Sequence, residues 1–149
     1  MDRLRNNGGQ ALVEFALVSV VLMVFVVGVA EFARAWYYDN ALENAVRAGV
    51  RYATELPNDA SFQSNVATYV QNQMTSAVPV GGAYGVTLNT PTITINSTTP
   101  PPTVTVIESC VFSDPVLEAF SYIVSVFFSK TIPASLTLSR SGTMYYSGT

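Results

Sequence analysis

The sequence predicts an α+β fold: a long N-terminal helix, its first part able to span a membrane, runs into a small domain with a second helix and an antiparallel sheet. Three observations carry this expectation. Sixteen residues without a charge, FALVSVVLMVFVVGVA, lie between Glu14 and Glu31. The segment that follows, Glu31 to Leu56, contains no proline and is rich in alanine. Beyond Gly85, apolar and polar residues alternate in three separate stretches, the period of half-buried strands.

Residues 1–9, MDRLRNNGG, read as a short basic leader carrying Arg3 and Arg5. From Ala11 onward, twenty largely apolar residues include a single acid, Glu14. A spanning helix needs about 20 residues at about 1.5 Å each, so the membrane part is expected at about 11–30. Arg3 and Arg5 precede it, which places the N-terminus in the cytoplasm and the remainder outside. Expected surroundings are therefore membrane lipid, crossed once. A charge at the centre of such a helix costs about 2.5–3.5 kcal/mol and less toward the interface. Glu14 therefore either snorkels to the interface or has a use there. Arg3, Arg5, the apolar run and Gly28-Val29-Ala30 also fit a secretory signal cleaved before Glu31. The acid inside the run and the unbroken helical pattern beyond it stand against that alternative.

The helix is expected to continue over 10–56, about 70 Å in all. Asp39, Glu43, Arg47, Arg51 and Glu55 recur every fourth residue, with Glu43 and Arg47 in the favourable i,i+4 order. A second row, Ala41, Ala45, Gly49 and Ala53, has the same spacing and only small side chains. Such a row lets another element approach closely, either the chain's own domain or other subunits. Glu31, Arg34 and Trp36, followed by Tyr37 and Tyr38, fall where the membrane interface is expected, and the aromatics suit an interfacial belt.

Residues 57–149 form the expected extracytoplasmic domain. Pro57 to Asp59 ends the first helix, and Asp59 is placed to cap a second over 60–78. Its apolar face is Phe62, Val66, Tyr69, Val70, Met74 and Ala77. Gly81, Gly82 and Gly85 read as a turn, since no strand–loop–helix phosphate motif surrounds them. Strands are expected in GVTLNTPTITINS, in TVTVIESCVF after a Pro100–Pro102 turn, and in SLTLSRSGTMYY. Between the last two, Ser113 or Asp114 and Pro115 open an apolar stretch over 116–128. Too short to span a bilayer, it reads as a helix or extended insert over the sheet, or as an exposed patch for a partner. Asn96-Ser97-Thr98 matches a glycosylation sequon.

Composition excludes several functions. Charged residues make up 11% of 149, with a net charge of −3 and no basic block, so there is no electrostatic footprint for nucleic acid. Histidine is absent, which removes the usual general base and the commonest metal ligand. No catalytic constellation, cofactor site or small-molecule site is apparent. Glu108, Asp114 and Glu118 lie close in sequence and read as a solvated acidic face. The single cysteine, Cys110, reads as a buried small hydrophobe.

The first third resembles the N-terminal segment of TadE-like proteins, components of the tight-adherence (Flp-type) pilus system. The resemblance is carried by Gly9, Ala11, Val13, Glu14 and Phe15, then by Glu31, Phe32 and Arg34, then by Ala45, Arg47, Gly49, Arg51, Tyr52 and Ala53. It implies a type IV pilin-like architecture and a pseudopilin or minor pilin held in inner-membrane lipid; the missing catalytic constellation already speaks against an enzyme. It also implies prepilin peptidase cleavage between Gly9 and Gln10, which makes Glu14 the fifth mature residue. Implied partners are other pilin or pseudopilin subunits and the pilus assembly machinery. A chain of this kind would initiate, cap or form the filament; the alternative is a membrane-anchored binding module, an adhesin or an assembly factor that never polymerises.

Overall fold

The computed structural model describes residues 8–81, 85–98, 100–113, 115–130, 133 and 135–146. Arg3, Arg5, Gly82 and Asp114, all weighed above, lie outside the described residues. The elements are α1 (Gly8–Glu55), α2 (Phe62–Ala77), β1 (Val86–Leu88), β2 (Thr92–Asn96), β3 (Thr103–Ser113), α3 (Pro115–Phe128) and β4 (Ser135–Tyr145). The architecture is the expected α+β one, with a long apolar N-terminal helix, a second helix and an antiparallel sheet. The chain divides into two units, one ending at Arg34 and the other beginning at Ala35.

The described part of the first unit is helix throughout, and its apolar side chains face outward; Leu12, Phe15 and Met23 are each about 70% exposed. The second unit has a core. From Tyr38 on, α1 buries Ala41, Leu42, Ala45, Val46, Gly49, Val50 and Ala53, the i, i+3, i+4, i+7 stripe of a core-facing helix. α2 contributes Phe62, Val66, Val70 and Met74, one residue per turn.

β3 is the centre of the sheet. β4 pairs with it antiparallel along its whole length, from Thr103 opposite Tyr145 to Ser113 opposite Ser135. β1 and β2 share the other flank end to end, pairing with 110–112 and 103–107 respectively. Between them the Asn89 N–H still reaches the Ser109 carbonyl at 3.0 Å, and the Asn89 amide donates to Ser109 Oγ at 2.8 Å. The interruption falls where Pro91 has no N–H to give. The inner face of β3 is Val104, Val106, Glu108, Cys110 and Phe112, every one buried. The other face is rich in hydroxyls, with Thr105 and Thr143 Oγ1 atoms 2.9 Å apart across the β3–β4 pair.

Four expectations need correction. Tyr38 does not belong to an aromatic belt: it is buried, its ring 5.4 Å from that of Phe112. Asp59 does not cap α2 with its side chain. Its carboxylate accepts from the N–H and hydroxyl of Ser61, the N-cap position, and only its backbone carbonyl takes the Phe62 N–H. Those Ser61 hydrogen bonds, the hydroxyl's first, hold the Asp59 carboxyl below its ordinary value. α3 is helical, but no described side chain in it is fully buried, and Tyr122 and Val126 are 71% and 60% exposed. Among its described side chains Leu117 packs against the core, while the hydroxyl-rich face of the sheet leaves Ile107 and Tyr145 exposed. Finally, Glu108 is not part of a solvated acidic face: it is 0% exposed.

Candidate functional site

Two regions combine unusual chemistry with a defined position. The first is the exposed apolar half of α1. Residues from Gly9 form one helix long and apolar enough to cross a membrane by length and composition, with none of its apolar window buried within the protein. Glu14 lies on this surface, between Val13 and Phe15, and all three are exposed. Gly9 and Gln10 are exposed one turn earlier. Ser19 returns its hydroxyl proton to the Ala16 carbonyl at 2.8 Å, so this hydroxyl is satisfied within the helix.

The far end of the apolar run is closed by an ion pair. Arg34 Nη1 donates to both carboxylate oxygens of Glu31, at 3.1 and 3.2 Å. The pair leaves no net charge where the run stops. Glu14 and Glu31 are separated by about 26 Å of helix rise, close to the hydrocarbon thickness of about 30 Å. In the second unit Trp36 is exposed, while Tyr37 donates its hydroxyl to the Ala77 carbonyl at 2.7 Å.

The small-residue row lies elsewhere. Ala41, Ala45, Gly49 and Ala53 are all buried in the core of the second unit. Gly49 faces α2 so closely that a Cβ there would meet Val70 Cγ2 at 2.2 Å. On the sheet side, a Cβ at Gly142 of β4 would stand 2.9 Å from Val46 Cγ1 and 3.0 Å from Val50 Cγ2. The row is occupied by the chain's own domain, whereas none of the apolar window of α1 is buried within the protein. Glu43 and Arg47 pair on the exposed side of the helix.

The second region is polar and internal. Glu108 sits on the inner face of β3 with neither carboxylate oxygen hydrogen-bonded. Burial pushes its carboxyl up to about 7; the nearby Ser109 N–H pulls the other way but does not bond either oxygen. Its cross-strand partner is Arg140, whose Nε donates to Asp39 Oδ1 at 2.8 Å while Nη2 holds Oδ2. Cys110, two residues along, is buried and unoxidised, and burial with the nearby Glu108 and Asp39 charges pushes its thiol up to about 11. Among the described residues no group of three or more His, Cys, Asp or Glu side chains is placed to hold a metal.

Sequence reasoning missed both the burial of Glu108 and the Asp39–Arg140 clamp. The first had a signal: in TVTVIESCVF, residue 108 has the parity of Val104, Val106, Cys110 and Phe112, which fixes its face. The second had none, because the partners are 101 residues apart.

Neither a curated protein nor a solved structure gives a match to the chain. Residues 9–51, which take in Gly9, Glu14, Glu31, Arg34, the greater part of the small-residue row and Arg51, match the family model described as TadE-like protein.

Proposed function

We propose that the chain is a TadE-like structural subunit associated with a tight-adherence pilus, anchored once in the inner membrane with its α+β domain outside. It enters the filament through the apolar half of α1, as a pseudopilin or minor pilin that initiates, caps or forms the assembly. The observation that supports this reading most is the fully exposed apolar helix with an acid five residues beyond Gly9, inside the stretch matched to the family.

Prepilin peptidase cuts after Gly9 in this reading, creating an α-amino group on Gln10. Glu14 of a neighbouring subunit then pairs with that amine as helices stagger. Removing one partner of a buried ion pair costs about 3–5 kcal/mol, so the contact fixes register rather than adding net stability. N-terminal sequencing of membrane-fraction protein should begin at Gln10. Glu14→Ala should remain in the membrane yet disappear from sheared surface filaments; undiminished incorporation would overturn the proposal.

A second reading draws on the small-residue row. Because Ala41, Ala45, Gly49 and Ala53 are taken up by the chain's own core, that row is not free for subunit packing. This favours, as the alternative, a membrane-anchored adhesin or assembly factor that never polymerises. Purified filaments lacking the chain while the inner membrane retains it would support this alternative.

A further inference from the structure

Glu108 is the only buried charged side chain among the described residues, and both its oxygens lack partners. An unpaired ionised carboxylate in such a place is too costly to keep, so the group holds its proton or acquires a cation. The surroundings decide which cation is within reach. α2 turns only Phe62, Val66, Val70 and Met74 inward, and β1 and β2 contain no charged residue. On α1, Arg47, Arg51 and Glu55 are exposed, Arg47 pairs with Glu43, and Tyr52 stacks on Tyr69 of α2. The ionisable groups left toward the inner face are Tyr38 and Asp39 on α1, Cys110 on β3 and Arg140 on β4, and of these four Arg140 is the cation.

Directly opposed residues of an antiparallel pair share a face, with Cβ atoms about 4.5–5.5 Å apart. Arg140 stands opposite Glu108 in this way, yet its guanidinium is committed to Asp39 on α1. One cation thus holds a carboxylate on the helix and stands directly opposite another across the strand pair. Asp39 and Glu43 both favour the charged form of Arg140, Asp39 the more strongly.

We propose that Asp39, Arg140 and Glu108 form a two-position latch between α1 and the sheet. With Glu108 protonated, Arg140 clamps Asp39 and holds the start of the domain's helix against β4. When Glu108 ionises, Arg140 turns inward to it and the clamp on α1 opens. No covalent change is involved; a proton leaves Glu108 for solvent and one guanidinium changes partner. The device makes the seating of α1 on its own domain sensitive to the pH of the compartment outside the membrane.

The test is amide hydrogen exchange on the full chain in detergent micelles at pH 5.5, 6.5 and 7.5, expressed as protection factors. For wild type, protection of α1 amides in residues 36–46 should fall about tenfold per pH unit across this range up to pH 7, the slope of one coupled proton, while α2 amides change less. Glu108→Gln, which cannot ionise, should keep the low-pH protection at every pH. Asp39→Asn, which removes the clamp while leaving Glu108, should show low protection of 36–46 already at pH 5.5. A wild-type profile that Glu108→Gln reproduces would overturn the latch, as would wild-type protection in Asp39→Asn.

Discussion

A Cβ added to Gly49 would lie 2.2 Å from Val70 Cγ2. The contact joins the centre of α1's buried stripe to the buried face of α2, both within the core. Nothing flexible stands in the way: Val70 is β-branched, fully buried and stiff about χ1. Gly49→Ala should therefore destabilise the domain by about 1–3 kcal/mol through overpacking. Denaturant titration in micelles checks this, with Gly28→Ala as the control, since a Cβ there meets nothing within 4 Å.

Gly142 makes the corresponding contact on the sheet side, but the valine methyls it would meet stand farther off, at 2.9 and 3.0 Å rather than 2.2 Å. Gly142→Ala should cost less than Gly49→Ala, and Gly142→Val more than Gly142→Ala. The ordering of the three midpoints is the measurement.

Stability should depend on pH through Glu108. Its carboxyl titrates at about 7 in the fold against an ordinary 4.5. Below pH 4.5 both folded and unfolded chains are protonated there, and the full stability is present. Between 4.5 and 7 the unfolded chain releases the proton and the folded one retains it, so stability falls as pH rises. Above 7 no further loss comes from this group. The denaturation midpoint should be higher at pH 5 than at pH 7.5 for wild type, and Glu108→Gln should flatten that difference.

Tyr146 donates its hydroxyl to the Leu56 carbonyl at 2.9 Å and packs edge-on against Phe62 at 5.7 Å. Tyr146→Phe preserves the ring and removes the bond to the end of α1. A loss of about 0.5–1.5 kcal/mol is expected, seen as a lower midpoint with an unchanged denaturant slope.

Cys110 should resist thiol reagents in the native protein. It is fully buried and its thiol is pushed up to about 11, so thiolate is scarce at neutral pH. Labelling by a maleimide should appear only with unfolding, at the same denaturant concentration as the loss of tertiary structure.

The elements legible in the sequence are those whose pattern repeats within a few residues. The charge-free run, the stripe from Tyr38 to Ala53 and the alternation in TVTVIESCVF and SLTLSRSGTM each declare their period. The small row was recognisable as a packing surface, but its partner was not, because Val70 is twenty-one positions from Gly49 and no local pattern links them. Glu108 was read by residue type rather than by parity, and type was the weaker guide. For α3 the apolar composition left two readings, a cover or an exposed patch, and composition could not decide between them: Leu117 packs against the core while Tyr122 and Val126 stay exposed. In the candidate site, Glu14 and its distance from Gly9 could be read directly, whereas the Asp39–Arg140–Glu108 arrangement exists only after the chain has folded.

The contacts that close the domain join its extremes. Arg140 reaches Asp39 across 101 residues, and Tyr146 reaches Leu56 across 90. Contacts of such separation are the slow ones to form. The inner stripe of α1 consequently emerges long before β4, the strand that lies over it, has been synthesised. During synthesis, that half of the helix waits uncovered, and the domain completes itself only once β4 has followed. A chain shortened before β4 would lack one strand and also the lid over its first helix, and should be cleared by proteases rather than accumulate as a smaller folded form.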